Sequence, residues 1–266
     1  LTGGFGIHCS FLATGFKSAT YVERQEELCE IAAHNFPILN LNHINVRNED
    51  GVAYLQTMSP VDCIFLDPAR RNEHGGKTVS IADCEPNVAE LEDLLLSKAS
   101  RIMIKLSPML DLSLALKELK HTQEVHILSV NNECKELLIL LGQTSPAEIT
   151  IHCVNLFTKG TQEEQHFVFT REQEQRSQCT YTDSLGDYLY EPNASLLKAG
   201  AFRSIAAAYP VRKLHPNSHL YTSDTFIENF PGRIFRIVNQ CSFNKKEVKE
   251  NPVSYTHLTL PTNSLV

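Results

Sequence analysis

The chain has 266 residues, of which 42% are hydrophobic and 21% charged, a balance typical of a globular protein with a sizeable core. Its formal net charge of −7 argues against a protein that coats nucleic acid by bulk charge attraction. No apolar stretch approaches the roughly 18 residues that a membrane-spanning helix requires. The charge is uneven, because residues 190–252 carry nine Lys and Arg against five Asp and Glu. A basic C-terminal segment beside an acidic body hints at a contact with nucleic acid.

Eight cysteines are scattered along the chain without a closely spaced pair. Zinc sites use such pairs, so we expect no metal site. Cys63 lies in an apolar run, where a reduced thiol packs like a small apolar side chain. The cysteine pattern therefore favours a cytoplasmic protein with reduced thiols.

Residues 1–146 alternate segments of extended and helical character. The predicted strands are Thr20–Glu23, Ile44–Val46, Val61–Leu66, Arg101–Leu106 and Glu124–Val130. The predicted helices are Gly6–Ala13, Gln25–Asn35, Asp50–Gln56, Asn87–Lys98 and Leu112–Leu119. Lys135–Leu141 suits either a helix or a strand. Strands separated by helices predict an α/β fold with a doubly wound parallel sheet. A first strand is expected before Leu1, so we expect the chain to be truncated at its N-terminus.

A domain boundary is predicted at Pro146, after which the pattern changes. Ile149–Phe157 and His166–Thr170 are predicted to form a hairpin, and Gln173–Gln178 a loop. Further predictions are a helix over Ser195–Ala208, a loop over Lys213–Leu220, a short helix over Ser223–Phe230 and a strand over Gly232–Asn239. Residues 253–266 carry no charge and no packing periodicity, and we interpret them as an adaptor-derived tail.

A glycine-rich turn opens the chain, with Gly3, Gly4 and Gly6 close together. Glu23 follows about 20 residues later at the end of a predicted strand, which is the usual layout of a nucleotide-binding turn. Glycines let backbone N–H groups approach a ligand, and the acid accepts hydrogen bonds from ribose hydroxyls. The glycine spacing differs from the dinucleotide pattern, which argues against a nicotinamide oxidoreductase. A tight turn without a ligand, and a solvated acid, are the alternatives.

Two further acids follow predicted strands. Asp50 follows Ile44–Val46, and it suits either a contact to adenine or a helix cap. Asp67 and Pro68 follow Val61–Leu66, with Ala69 and Arg70 next. An aspartate and a backbone carbonyl held by proline can accept both hydrogens of an exocyclic amine, which aims the nitrogen lone pair at a methyl donor. A capped turn at the end of a strand is the alternative for Asp67.

These motifs carry a family resemblance. Leu1–Gly6, Tyr21–Arg24, Asn48–Gly51 and Phe65–Arg71 resemble, in order and spacing, class I S-adenosylmethionine-dependent methyltransferases. Over residues 1–252 the chain resembles a Bacteroidetes methyltransferase family, with further likeness in Phe65–Gly76, Ile104–Leu112 and Tyr188–Arg233. The resemblance implies a methyltransferase domain over residues 1–146, a ferredoxin-like domain over 147–189 and a THUMP-like domain over 190–252.

The resemblance also implies a cofactor, a substrate and site residues. It implies an S-adenosylmethionine site on Gly3, Gly4, Gly6, Glu23, Asp50 and Asp67, with catalysis at Asp67, Pro68 and Arg70. THUMP-type domains of related enzymes bind structured RNA, so methylation of an RNA base is expected. The expected RNA contacts are Arg71, Lys77, Lys105, Arg203 and Lys213.

Two departures from the family pattern keep a second interpretation open. His8 stands where the family has an acid, and Ala69-Arg70 replaces the aromatic residue that stacks on the target base in amino-methylating enzymes. Guanine N2, adenine N6, a base carbon and a ring nitrogen all remain candidate target atoms. A cofactor-binding or RNA-binding module without turnover is the alternative function.

Overall fold

The computed structural model describes residues 1–70, 80–160 and 164–240. Its longer strands are β1 (Ala19–Glu23), β2 (Ile44–Asn48), β3 (Val61–Leu66), β6 (Ala99–Leu106), β7 (Thr122–Val130), β8 (Glu133–Gly142), β9 (Thr150–Leu156), β10 (Glu164–Thr170), β11 (Tyr188–Pro192) and β14 (Gly232–Arg236). Its short strands are β4 (Ala69–Arg70), β5 (Cys84–Glu85), β12 (Arg212–Lys213) and β13 (Tyr221–Ser223). Its helices are α1 (Ile7–Leu12), α2 (Glu26–Ile38), α3 (Gly51–Thr57), α4 (Glu92–Lys98), α5 (Leu112–Glu118), α6 (Arg171–Arg176), α7 (Ala194–Ala199) and α8 (Phe202–Ala208).

The main sheet has six strands in the order β10-β9-β7-β8-β6-β3. The pairs β3–β6 and β7–β9 are parallel, whereas β8 runs antiparallel to β6 and β7. The α/β prediction is confirmed, but the sheet is mixed rather than parallel. The reason is local: Asn131 and Asn132 both have positive φ, 50° and 65°, and such residue pairs form the tight turn of a hairpin. The segment that suited either a helix or a strand is therefore strand β8.

One face of this sheet is buried and the other is half-exposed. Alternate residues of β6, Ile102, Ile104 and Leu106, belong to the core, together with side chains from α4, α5, α7 and α8. Met103 and Lys105 point to the opposite face and are only partly buried. The opposite face therefore leaves polar side chains in contact with solvent.

Strands β1 and β2 form a separate parallel pair that α2 connects. Leu1–Gly3 joins this pair to the main sheet, because the Leu1 backbone nitrogen donates to the Phe65 carbonyl at 2.9 Å and the Gly3 N–H donates to the Val22 carbonyl at 3.0 Å. Between β1 and β3 lies a cavity of about 440 Å³, lined by residues of both strands. The carboxyl ends of β1 and β3 consequently lie at the same edge of the molecule.

The predicted boundary at Pro146 does not separate two sheets. Strands β9 and β10 form the predicted hairpin and continue the main sheet next to β7. A second, four-stranded sheet follows in the order β12-β13-β11-β14, and its buried residues share the hydrophobic core of the main sheet.

Three local predictions beyond Pro146 are wrong. Residues 173–176 are helical, because Thr170 and Gln173 form a reciprocal cap that starts α6. The helix predicted over Ser195–Ala208 is two helices, because Gly200 has φ 75° and ends α7. The segment Ser223–Phe230 forms no helix, since its backbone bonds instead to side chains such as the Tyr190 hydroxyl, which accepts from the Ile227 N–H at 3.0 Å. Within the described residues, no helix has both the length and the apolar character that a membrane crossing requires.

Candidate active site

The glycine turn packs tightly against the end of β1. Gly3 approaches the Tyr21 ring so closely that a Cβ atom at this position would lie 2.4 Å from it. Gly4 and Gly6 have φ of 54° and 76°, a backbone region that glycine adopts readily. The Tyr21 hydroxyl donates a short hydrogen bond to the Gly4 carbonyl. Desolvation raises the pKa of Tyr21 far above its usual range, so the hydroxyl stays a donor at neutral pH. The close contact between Gly3 and Tyr21 and the hydrogen bond to Gly4 together hold the turn against the end of β1.

Glu23 ends β1 and holds the same turn. Its Oε2 accepts from the Gly4 N–H at 2.8 Å, and its Oε1 accepts from the Gln25 N–H at 3.0 Å. The residue is only 8% exposed. Each carboxylate oxygen has two lone pairs, so each can still accept one hydrogen bond from a ligand.

Asp50 performs the helix-capping role that the sequence left open. Its Oδ1 accepts from the Val52 and Ala53 N–H groups at 2.9 and 3.0 Å, which caps α3. The side chain is exposed at the edge where β2 ends. Capping and a ligand contact are compatible, because Asp50 also lines the cavity described below.

Asp67 follows β3 and is surrounded by polar groups. Its N–H donates to Thr2 Oγ1 at 2.7 Å, which ties it to the start of the glycine turn. Its Oδ2 lies 2.8 Å from Lys105 Nζ and 3.9 Å from His8 Nδ1. Lys105 also lies 3.8 Å from Glu136 Oε1, so its ammonium bridges two carboxylates. His8, which replaces the acid of the family pattern, thus sits beside the candidate catalytic aspartate.

One cavity of about 280 Å³ brings together residues that are far apart in the sequence. Gly4, Glu23, Asp50 and Asp67 all line it. Its apolar wall is formed by Val22, Val52, Leu55, Leu66 and Leu91. Its volume is close to the lower end of the range for small-molecule sites, about 300 Å³. Gly3 and Gly6 shape the turn but do not line this cavity. The arrangement offers acceptors for a sugar and an apolar slot for a flat ring.

The remaining predicted residues differ in their placement. Pro68 is buried, and Arg70 pairs with Cys84 through β4 and β5. Arg203 is exposed at the start of α8, where its N–H donates to Glu174. Arg71 and Lys77, like the predicted tail over residues 253–266, lie outside the described residues.

Lys213 lies in a different environment from the one that the sequence predicted. The residue is 2% exposed, and its Nζ donates to the carbonyls of His215 and Pro216 at 3.0 and 2.7 Å. Burial lowers the pKa of Lys213. The prediction that Lys213 contacts RNA is wrong, because its charge is enclosed by its own loop.

Sequence reasoning missed Thr2 and Glu136. Thr2 stands next to the glycines, and a hydroxyl beside such a turn often forms a hydrogen bond to the backbone, so its role could have been predicted from the sequence. Glu136 could not be found from sequence, because its approach to Lys105 depends on the antiparallel pairing of β6 and β8.

A solved structure is similar to this chain over most of its length. A crystal structure described as a "putative methyltransferase", from Porphyromonas gingivalis W83, is 39% identical and superposes with a TM-score of 0.83. The alignment covers 95% of this chain and 64% of that chain. The chain spans less than two thirds of the length of that protein and shares its fold over the aligned part. Its fold is therefore the Rossmann-like fold of a methyltransferase, joined to a small additional sheet.

Other comparisons are narrower. A family model for a ferredoxin-like domain matches residues 188–231, which is later in the chain than the 147–189 expected from the resemblance. An rRNA methylase from Streptococcus thermophilus is 12% identical with a TM-score of 0.37, covering 53% of this chain and 82% of that chain. A Streptococcus mutans protein in complex with SAH has the same identity and TM-score, with coverages of 53% and 84%. These two scores are too low to support a conclusion about this chain. Among curated proteins, none matches.

Proposed function

We propose that the protein is an S-adenosylmethionine-dependent methyltransferase that methylates a base in structured RNA. The observation that carries this proposal is the single cavity lined by Gly4, Glu23, Asp50 and Asp67. In an α/β sheet, ligands bind beyond the carboxyl ends of the strands, which is where Glu23 and Asp67 lie. The likeness to the Porphyromonas protein, which is described as a methyltransferase, supports the same reaction class.

The residues that line the cavity fit a nucleoside. Glu23 accepts hydrogen bonds from the two ribose hydroxyls, using the lone pairs that the glycine turn leaves open. Asp50 accepts from the amine of the adenine ring. Leu55 and Leu91 enclose the ring in apolar surroundings. The glycine turn keeps the backbone close enough to position the rest of the cofactor.

The chemistry requires positioning more than acid–base catalysis. Bound S-adenosylmethionine supplies a methyl group on a positively charged sulfur, which leaves as a neutral thioether. Asp67 and the Pro68 carbonyl accept the two hydrogens of an exocyclic amine and aim the nitrogen lone pair at that methyl group. The nitrogen would gain the methyl group and lose one proton to solvent, and the sulfur would keep the electron pair of the broken S–C bond. Lys105 holds the Asp67 carboxylate in place, with its Nζ 2.8 Å from Oδ2.

RNA as the substrate rests on the C-terminal segment. Residues 190–252 are net basic in an otherwise acidic chain, and Arg203 is exposed there. Basic segments of this kind bind the phosphate backbone.

A second candidate function is a binding module of the same fold without turnover. The observation that favours it is the Lys105 ammonium at 2.8 Å from Asp67, which occupies one acceptor oxygen that the reaction uses. His8 Nδ1 lies 3.9 Å from the same oxygen, which is too far for a hydrogen bond but within the range of an ion pair. A module of this kind binds the cofactor but transfers no methyl group.

Calorimetry separates the reaction classes. We expect the chain to bind S-adenosylhomocysteine and not NAD, since the turn lacks the dinucleotide glycine spacing. Glu23→Gln is expected to weaken binding by about tenfold, because it replaces one acceptor oxygen with a donor. Binding of NAD but not of S-adenosylhomocysteine would contradict both candidate functions.

A transfer assay separates the enzyme from the module. With labelled methyl donor and total RNA, we expect label in RNA, and no label with Asp67→Ala. Asp93→Ala is the matched control, because Asp93 is an exposed acid of α4 away from the cavity. Label confined to protein contradicts RNA as substrate. Cofactor binding without any transfer favours the module.

A further inference from the structure

Three metal-ligating side chains converge on the half-exposed face of the main sheet, apart from the candidate active site. They are Glu124, His126 and His152, and their ligand atoms all lie within 4.8 Å of one another. None of them lines the cavity that contains Glu23 and Asp67.

Strand pairing creates this cluster. In the parallel pair β7–β9, His126 stands directly opposite His152. Glu124 lies two residues before His126, so its side chain points to the same face of the sheet. The rigid position of neighbouring strands brings the ligands together before any ion binds.

The distances suit a small divalent ion. His126 Nε2 lies 3.2 Å from Glu124 Oε2, and His152 Nε2 lies 3.9 Å from the same oxygen. Tetrahedral zinc binds nitrogen and oxygen at about 2.0–2.1 Å, which places two ligand atoms about 3.3 Å apart. Of the two separations, 3.2 Å is close to this value and 3.9 Å is longer, so the His152 side chain has to move toward Glu124.

The two imidazole rings must turn to share an ion. They are stacked, with centroids 4.4 Å apart and an angle of 4° between the ring planes. A ring nitrogen binds a metal in the plane of its own ring, so parallel rings cannot both point at one ion. Rotation about χ2 lets the planes intersect, at the cost of the stacking contact.

The cluster is open to solvent, so an ion can reach it. Glu124 is 45% exposed, which leaves room for water at the fourth position.

We propose that Glu124, His126 and His152 bind one Zn²⁺ ion, with water as the fourth ligand. Two histidines and a glutamate are an established zinc ligand set. The absence of closely spaced ligand pairs predicted no metal site, but these three ligands come from two strands and form no such pair in the sequence. The ion links β7 to β9 and thereby fastens the β9–β10 hairpin to the rest of the sheet.

Calorimetry with zinc chloride on the untagged 266-residue chain tests this site. We expect one high-affinity site per chain, weakened at least about tenfold in His126→Ala and in His152→Ala. Glu124→Gln keeps the size of the side chain and is expected to weaken binding as well. His34→Ala is the matched control, because His34 is an exposed histidine of α2 away from the cluster.

Two further measurements report which side chains bind the ion. Co²⁺ in place of zinc reports the ligands, and a spectrum without thiolate-to-cobalt charge transfer is expected for nitrogen and oxygen ligands. Zinc should raise the melting temperature of the chain, and this rise should be lost in Glu124→Gln. Unchanged zinc affinity in a folded His126→Ala/His152→Ala double variant, or a thiolate spectrum, would overturn the proposal.

Discussion

At the scale of single residues, the contact between Gly3 and Tyr21 controls the shape of the candidate site. Tyr21 is 2% exposed, and its hydroxyl is bonded to the Gly4 carbonyl. The ring therefore has no room to move away from a larger residue at position 3. The glycine is required here by close approach rather than by a positive φ.

Gly3→Ala tests this contact. The added Cβ would lie 2.4 Å from the Tyr21 ring, so we expect a loss of about 1–3 kcal/mol in the free energy of unfolding and weaker binding of S-adenosylhomocysteine. Gly15→Ala is the control, because a Cβ there meets nothing within 4 Å. Thermal melting and calorimetry give both readouts. Equal melting temperatures for the two variants would show that the turn adapts freely.

At the scale of elements, a buried lysine organises the loop between β12 and β13. Lys213 donates to two carbonyls of this loop, and its Nζ lies 5.8 Å from the centroid of the Phe202 ring. The four-carbon stem fills space beneath the loop, as long cationic side chains often do. The residue is a structural tie between the loop and α8.

Lys213→Ala is expected to destabilise the protein without a direct loss of RNA contacts. Removing the buried stem and its hydrogen bonds should lower the free energy of unfolding by about 2–4 kcal/mol. Arg203→Ala, which truncates an exposed side chain, should change it by less than about 0.5 kcal/mol. Urea unfolding compares the two variants. A Lys213→Ala protein as stable as the parent would refute the structural role.

Local patterns predicted several of these elements, and tertiary pairing decided the others. The apolar run predicted the strand Val61–Leu66. The positions of Glu23 and Asp67 at the ends of strands predicted them as site residues. The antiparallel course of β8, the burial of Lys213 and the meeting of His126 with His152 depend on partners distant in sequence. A strand register or a burial that depends on distant partners cannot be predicted from the periodicity of the sequence alone.

At the scale of the whole molecule, stability should depend on pH through His219. The residue is exposed, but its ring stacks on Phe202 with 3.8 Å between the centroids, and the resulting desolvation, followed by the charge of Lys213, lowers the pKa of His219. In the unfolded chain it takes up a proton near pH 6.5, its ordinary value, so the unfolded state binds more protons just below that pH. The free energy of unfolding therefore falls as the pH drops below about 6.5.

His219→Gln should make this fall shallower, because the substituted side chain does not titrate. Urea unfolding between about pH 7.5 and pH 5 measures the slope. The loss of stacking lowers stability at every pH, so the slope and not the absolute value is the readout. His34→Gln, at an exposed histidine, should keep the parental slope. An identical slope in His219→Gln would contradict the role of this residue.

The backbone bonds of Leu1 and Gly3 have a consequence for how the protein responds to its ligand. The β1–β2 pair and the six-stranded sheet are separate hydrogen-bonded units, and the candidate cavity takes Glu23 from one and Asp67 from the other. A nucleoside held by both acids would act as a clamp between the units. Occupancy would then suppress local opening of the smaller unit and make the two melt together, so the ligand would supply part of the cohesion of the fold.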